Sequence, residues 1–179
     1  MTQKTIRNIL IALLFTTVTF GAMGQNYSIS ANIGTDIYNY SGESTYINTG
    51  AALIFDIGNQ MEADFEIDFA LTTNEAEDGS VTADFFIPLD AGINFLFPYD
   101  PFKFLIGVGI SPVFTYTSSI SSPFRFVMGP YLKGGARVRV HPTMHWFLEV
   151  QQDLLIGLPN WINHGTRITT GVNFSFGGE

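Results

Sequence analysis

The sequence predicts an all-β fold, an eight-stranded antiparallel up-and-down transmembrane β-barrel. Three observations carry that expectation. The first is the stripe Met61–Phe69, in which Met61, Ala63, Phe65, Ile67 and Phe69 alternate with Glu62, Asp64, Glu66 and Asp68. Successive strand residues point to opposite faces, so this segment has one apolar and one charged face. The second is that the same period-two pattern recurs in eight segments between residues 26 and 176. The third is that the connectors are alternately short and long, as an up-and-down barrel requires if short turns gather on one rim and long loops on the other.

The elements follow in order. The first strand, about 26–38, sets Tyr27, Ile29, Ala31, Ile33 and Ile37 against Ser28, Ser30, Asn32, Gly34 and Asp36. The second, about 46–57, sets Ile47, Ala51, Leu53, Phe55 and Ile57 against Asn48, Gly50, Ala52 and Asp56. The third is the stripe itself, running to about Thr72. The fourth, about 81–97, alternates a nine-residue apolar set from Val81 to Phe97 with Thr82, Asp84, Asp90 and Asn94. In the fifth, about 102–114, Phe102, Phe104, Ile106, Val108 and Ile110 oppose Lys103, Gly107, Gly109 and Ser111. The sixth, about 124–140, places Leu132, Ala136, Val138 and Val140 opposite Tyr131, Lys133, Arg137 and Arg139. The seventh, about 145–156, alternates Trp146, Leu148 and Val150 with Glu149, Gln151 and Asp153. The eighth, about 166–176, alternates Ile168, Val172, Phe174 and Phe176 with Arg167, Thr169, Asn173 and Ser175. Gly58–Gln60, Pro98–Pro101 and His141–Met144 have the chemistry of tight turns. The stretches near 39–45, 73–80, 115–123 and 157–165 are longer and polar. Pro88 and Pro130 fall inside strands, where each lacks a ladder donor, and predict local bulges.

Such a barrel could turn its apolar face inward around a ligand, in water, or outward to lipid. Length favours lipid: these strands run about 10–17 residues, whereas about 9–11 tilted residues cross a bilayer. Aromatic residues gather at the strand ends, as interfacial girdles do. Tyr27, Phe55, Phe97, Tyr99, Phe102, Trp146 and Phe176 lie near the short-turn rim, and Tyr38, Tyr40, Tyr46, Phe114, Tyr116, Phe124 and Trp161 near the other. Charge also divides by strand. Acids at Glu62, Asp64, Glu66, Asp68, Asp84, Asp90 and Glu149 face bases at Lys103, Lys133, Arg137, Arg139 and Arg167, which predicts a paired network inside a narrow lumen.

The N-terminus agrees with export. Lys4 and Arg7, the apolar stretch Ile9–Phe20 and the small residues of Ala22–Gly24 form a cleavable signal over 1–24, leaving a single barrel domain over 25–179. Lys4 and Arg7 are two of the chain's eight basic residues, so the mature chain would carry six against 16 acids, a net charge of −10. That charge repels phosphates and excludes nucleic acid as a partner. The absence of cysteine excludes disulfides, thiolate metal sites and a lipid-modified cysteine.

Thr169-Thr-Gly171-Val-Asn-Phe174-Ser-Phe176 resembles the C-terminal assembly signal of outer-membrane proteins: a polar residue, then glycine, then two hydrophobic residues two apart. Gly177-Gly-Glu179 follows where most such signals end on the aromatic. The mature chain is similar in plan to the small eight-stranded barrels of the OmpX-like and OmpA transmembrane-domain-like families. The resemblance implies an integral outer-membrane address, contact with outer-membrane lipid and insertion by the barrel-assembly machinery.

No catalytic constellation is written in the chain. His141 and His145 sit at a short turn, and His164 in the last long loop lacks a neighbouring serine or acid. There is no metal-spaced set, no phosphate-cradling glycine loop and no nucleophile elbow, so no cofactor is expected. The acids of the third strand could bind a cation, but with basic strands available salt bridging is the stronger reading. The expected role is structural or interaction-based and non-enzymatic. The alternatives are a narrow channel for small ions or solutes and an accessory subunit of a larger outer-membrane complex.

Overall fold

A computed structural model describes residues 26–39, 44–75, 81–116, 124–157 and 161–177. The signal expected over 1–24 and the girdle residue Tyr40 lie outside the described residues. Eight strands close into one antiparallel barrel in sequence order: β1 (Tyr27–Tyr38), β2 (Ser44–Gly58), β3 (Met61–Glu75), β4 (Val81–Tyr99), β5 (Phe102–Tyr116), β6 (Phe124–His141), β7 (Met144–Ile156) and β8 (Ile162–Phe176). β1 pairs with β8 from Tyr27–Phe176 to Tyr38–Gly165, so no strand edge is left unpaired. Because the strand number is even, the start of β1 and the end of β8 share the rim of the three short turns. At one of these, Asn59 (φ 56°) and Gln60 (φ 61°) adopt the left-handed conformation of a tight hairpin turn, with Gly58 at φ 83° before them.

The strands are longer than the sequence suggested. β3 runs on to Glu75, β2 begins at Ser44, and β8 begins at Ile162. Ladder pairing carries through polar residues that hydrophobic alternation cannot see. His164 therefore lies in β8 rather than in a loop, faces outward, and receives Asn39 at its Nδ1 (3.0 Å).

The bulges expected at Pro88 and Pro130 are absent. Register on both sides of each proline is unchanged; pairing merely lapses at Asp68–Phe69 opposite Ile87–Pro88 and beside Pro130 on the β7 side, with a similar lapse at Pro112. Proline removes a donor without adding a residue, so the ladder forgoes a bond and keeps step. The register shifts occur instead between Asp56 and Gly58 and between Arg139 and His141, beside tight turns.

The faces are inside-out relative to a soluble protein. Ile33, Ile47, Phe65, Ile67, Val108, Leu132 and Leu148 are exposed on the outer wall, while Asp64, Asp68, Lys133, Arg137 and Arg167 are buried. This is the pattern of a barrel with lipid outside. Hydroxyls that face outward donate inward to the ladder: Thr49 Oγ1 to the Asn32 carbonyl (3.0 Å) and Thr170 Oγ1 to the Phe147 carbonyl (2.8 Å). In hydrocarbon an unbonded hydroxyl would have no water to turn to.

The girdles need two corrections. Tyr38 and Tyr46, each 1 % exposed, point into the barrel. They share the parity of Asp36 and Asn48 in their own strands, which outweighs their position near a rim. Phe55 is 9 % exposed because the Phe65 ring packs edge-on against it, 6.2 Å between centroids. On the outer wall toward the long loops, Phe69, Phe85, Tyr116 and Phe124 form a chain of ring contacts 4.9–5.8 Å apart.

Candidate functional site: the charged lumen

The interior is built in two zones. Toward the long-loop rim, Tyr38, Tyr46, Ala70, Phe86, Val113, Val127 and Leu155 form an apolar plug. Phe86 packs against both tyrosines, at 5.0 and 4.3 Å. Below it lies the charged zone, organised around three buried cations.

Arg167 of β8 reaches across the barrel. Its Nη1 donates to Asp68 (2.8 Å), its Nη2 to Asp90, and its Nε to Asp153 (3.2 Å). Lys133 of β6 meets Asp64 (2.8 Å), Glu66 (3.1 Å) and Glu149 (3.6 Å). Arg137, two same-face positions along β6 nearer the short turns, meets Glu62 (2.7 Å) and Glu149 (3.5 Å). Glu149 is thus shared by Lys133 and Arg137.

Neutral side chains knit these groups together. Asn32 Nδ2 donates to Glu66 (2.6 Å) and Asp68 (3.0 Å). Gln151 Nε2 donates to Asp90 (3.0 Å) and Asp153 (2.8 Å). The hydroxyl of Tyr38 donates to Asp153 (2.9 Å) and ties the plug to the network. Tyr131 OH approaches Asp64 at 3.4 Å. Room for the Tyr131 ring comes from Gly92 and Gly109, where an added Cβ would lie 2.1 Å from its hydroxyl and 2.5 Å from Cζ. The cavities left among these groups are water-sized, about 10 Å³ each, one lined by Asp64, Glu66, Lys133, Arg137 and Glu149, the other by Glu66, Asp68, Gln151 and Arg167 among others.

Of the twelve charged residues picked out from sequence, Glu62, Asp64, Glu66, Asp68, Asp90, Lys133, Arg137, Glu149 and Arg167 come together here. Asp84 is buried nearer the long-loop rim. Lys103 is half-buried and makes no ion pair among the described residues. Arg139 is not in the lumen: it is exposed beside the short turns and pairs with the exposed Asp100 at 2.5 Å. Parity alone counted it inward, but the strand has passed the end of the interior at that height. Asp153, Gln151, Asn32, Tyr38 and Tyr131 were missed as network members, although strand parity already turned each of them inward.

In the C-terminal motif, Phe174 and Phe176 face outward, with Phe176 stacked on Tyr27 at 5.3 Å. Thr169 is buried, and Gly171 lets the backbone of β1 approach, since an added Cβ would lie 2.0 Å from the Ala31 carbonyl oxygen. His141 and His145 flank the β6–β7 turn, with no nucleophilic serine paired to either among the described residues.

No family model matches this sequence, nor does any curated protein. Solved structures do match. Neisserial surface protein A is 13 % identical, with 84 % of this chain and 97 % of that one aligned at a TM-score of 0.69. The attachment invasion locus protein Ail of Yersinia pestis is 14 % identical over 86 % of this chain and all of its own (100 %), at 0.58. The outer membrane protein OprG of Pseudomonas aeruginosa is 7 % identical over 87 % and 97 %, at 0.57. These likenesses concern the fold: the chain is built as the small eight-stranded transmembrane β-barrels are.

Proposed function

We propose that the protein is an integral outer-membrane barrel with a closed lumen, both termini in the periplasm, and a structural or interaction role rather than an enzymatic or pore-forming one. The observation that carries this reading is the filled interior. An aromatic plug closes one end, and below it, among the described residues, the cavities that Lys133, Arg137 and Arg167 line with their carboxylates are water-sized. Eight strands enclose just enough space for side chains to fill. The Thr169–Phe176 motif on the last strand supports insertion by the barrel-assembly machinery, and the export signal over 1–24 supports the outer-membrane address. The long loops then face the outside and are where a partner would be met.

Recording in planar lipid bilayers tests the reading. The purified barrel is expected to give no steady conductance. Reproducible, ion-selective channels from the unaltered protein would replace it with the narrow-channel alternative. Recovery of a stoichiometric outer-membrane complex in mild detergent would instead make the barrel an accessory subunit.

A further inference from the structure

Asp36 of β1 is a buried carboxyl group without a counter-ion. It is 0 % exposed, and no ion pair reaches it among the described residues. Its ladder partner on β8 is Arg167. That guanidinium is engaged elsewhere, by Asp68, Asp90 and Asp153. Asp68 of β3 and Asp153 of β7 also bear on Asp36, and both are acids. From β2, Tyr46 stands directly opposite and Asn48 on the diagonal. Tyr38 is the next inward residue of β1. An ionised carboxylate left unpaired in a low-dielectric interior is unfavourable enough that such groups neutralise instead.

The hydrogen bonds single out where the neutralising proton sits. Asn48 Nδ2 donates to Asp36 Oδ1. Two buried oxygens of this pair remain, Asp36 Oδ2 and Asn48 Oδ1, and neither has a hydrogen-bond partner. Both are acceptors when Asp36 is ionised, so they cannot satisfy one another. Turning the Asn48 amide over only sets a second acceptor against Asp36 Oδ1. A proton on Asp36 Oδ2 supplies the missing donor. A carboxylic acid and a carboxamide can then make two parallel bonds, N–H to the acid and O–H to the amide oxygen. The backbone makes room for this arrangement. Gly34 faces Asn48 across the ladder, and a Cβ there would lie 2.9 Å from Asn48 Oδ1.

We infer that Asp36 holds a proton at neutral pH and shares it with Asn48, so that a neutral acid–amide pair fastens β1 to β2 beneath the aromatic plug. The pair is a pH-sensitive clamp. Loss of the proton at alkaline pH sets a bare carboxylate beside Asp68 and Asp153, with Arg167 already shared among three acids. An unfolded aspartate has lost its proton well below neutral pH, so raising the pH removes this bond from the folded barrel and changes nothing in the unfolded chain. Stability therefore falls as the pH rises.

The test uses the full barrel refolded in phosphatidylcholine vesicles, with two variants. Asp36→Asn keeps the shape of the side chain and can make both bonds of the pair with its own amide, whereas Asp68→Asn takes a charge away from Arg167. Infrared spectra at neutral pH should contain a protonated-carboxyl C=O band that Asp36→Asn loses and Asp68→Asn retains. In urea unfolding at neutral pH, Asp36→Asn should match or exceed the unaltered barrel, and Asp68→Asn should fall below it. At alkaline pH the midpoint of the unaltered barrel should drop further than that of Asp36→Asn. Absence of the band from the unaltered barrel overturns the inference, as does a band that Asp36→Asn leaves unchanged. A loss of stability in Asp36→Asn as large as in Asp68→Asn does the same, and failure of Asp36→Asn to refold counts as such a loss. Asp36 would then be an anion. None of these readouts touches the closed-lumen reading, which conductance decides.

Discussion

Arg167 and Arg139 both pair with acids, and the difference between them lies in where the charge sits. Arg167 is 2 % exposed and donates to three carboxylates from three other strands. Removing one partner of a buried set leaves the others uncompensated, so Arg167→Ala should cost about 3–5 kcal/mol. Arg139 meets Asp100 in the open, and Arg139→Ala should change stability by at most about 1 kcal/mol. Urea unfolding of the two refolded variants, followed by tryptophan fluorescence, separates them. Equal midpoints would deny that the lumen pairs are insulated from water. A smaller contrast of the same kind holds for Arg137, whose loss would strand Glu62 and leave Glu149 to Lys133 alone.

Each strand must satisfy two solvents at once. Its outward residues meet hydrocarbon, and arginine in place of Phe65 or Ile67 should cost about 2–4 kcal/mol near the midplane of the bilayer. Reversible unfolding from vesicles measures it; a negligible cost would place β3 outside lipid. Inward residues meet a crowded interior, where volume rather than polarity is limiting. Gly109 gives way to the Ala91 carbonyl oxygen and the Tyr131 ring, which lie 2.4 and 2.5 Å from where a Cβ would stand. Gly109→Ala should therefore destabilise the barrel by about 1–3 kcal/mol through overpacking. The double variant Gly109→Ala/Tyr131→Phe should recover little, because the ring and the Ala91 carbonyl, not the tyrosine hydroxyl, occupy the space. Full recovery in that double variant would point to the hydroxyl instead. The prolines show the same economy: Pro88, Pro112 and Pro130 each cost a stretch of pairing without moving the register.

As a whole molecule the barrel is closed from both zones, and the two closures are joined where Tyr38 donates to Asp153. Truncating Glu66 and Arg137 together to alanine removes side chains that line the same water-sized cavity. The aromatic plug formed by Tyr38, Tyr46 and Phe86 would remain. That variant is expected to stay non-conducting or leak only in brief events, whereas adding Phe86→Ala should produce steady leakage in planar bilayers. Steady current from the first variant alone would show that the plug does not seal.

Strand number, order and the division into an outer and an inner face were legible in the chain, because backbone geometry forces side chains to alternate and a barrel in lipid makes one face apolar. Glu62, Asp64, Glu66, Asp68, Lys133, Arg137 and Arg167 could be assigned to the interior on that ground alone. Tertiary structure decided the rest. Parity gives a side but not a height, so it turns Arg139 inward although the strand has passed the rim there and the side chain is exposed. It gives no partner either: Arg167 lies 99 residues from Asp68 and 77 from Asp90 in sequence, and only closure of β8 onto β1 and the shear of the strands bring them together. Tyr38 and Tyr46 changed from girdle to plug for the same reason, since nearness to a rim is one-dimensional while the direction of a side chain is set by the pleat. Pairing in a barrel is a three-dimensional register, and no local pattern encodes which residues stand at the same level across the lumen.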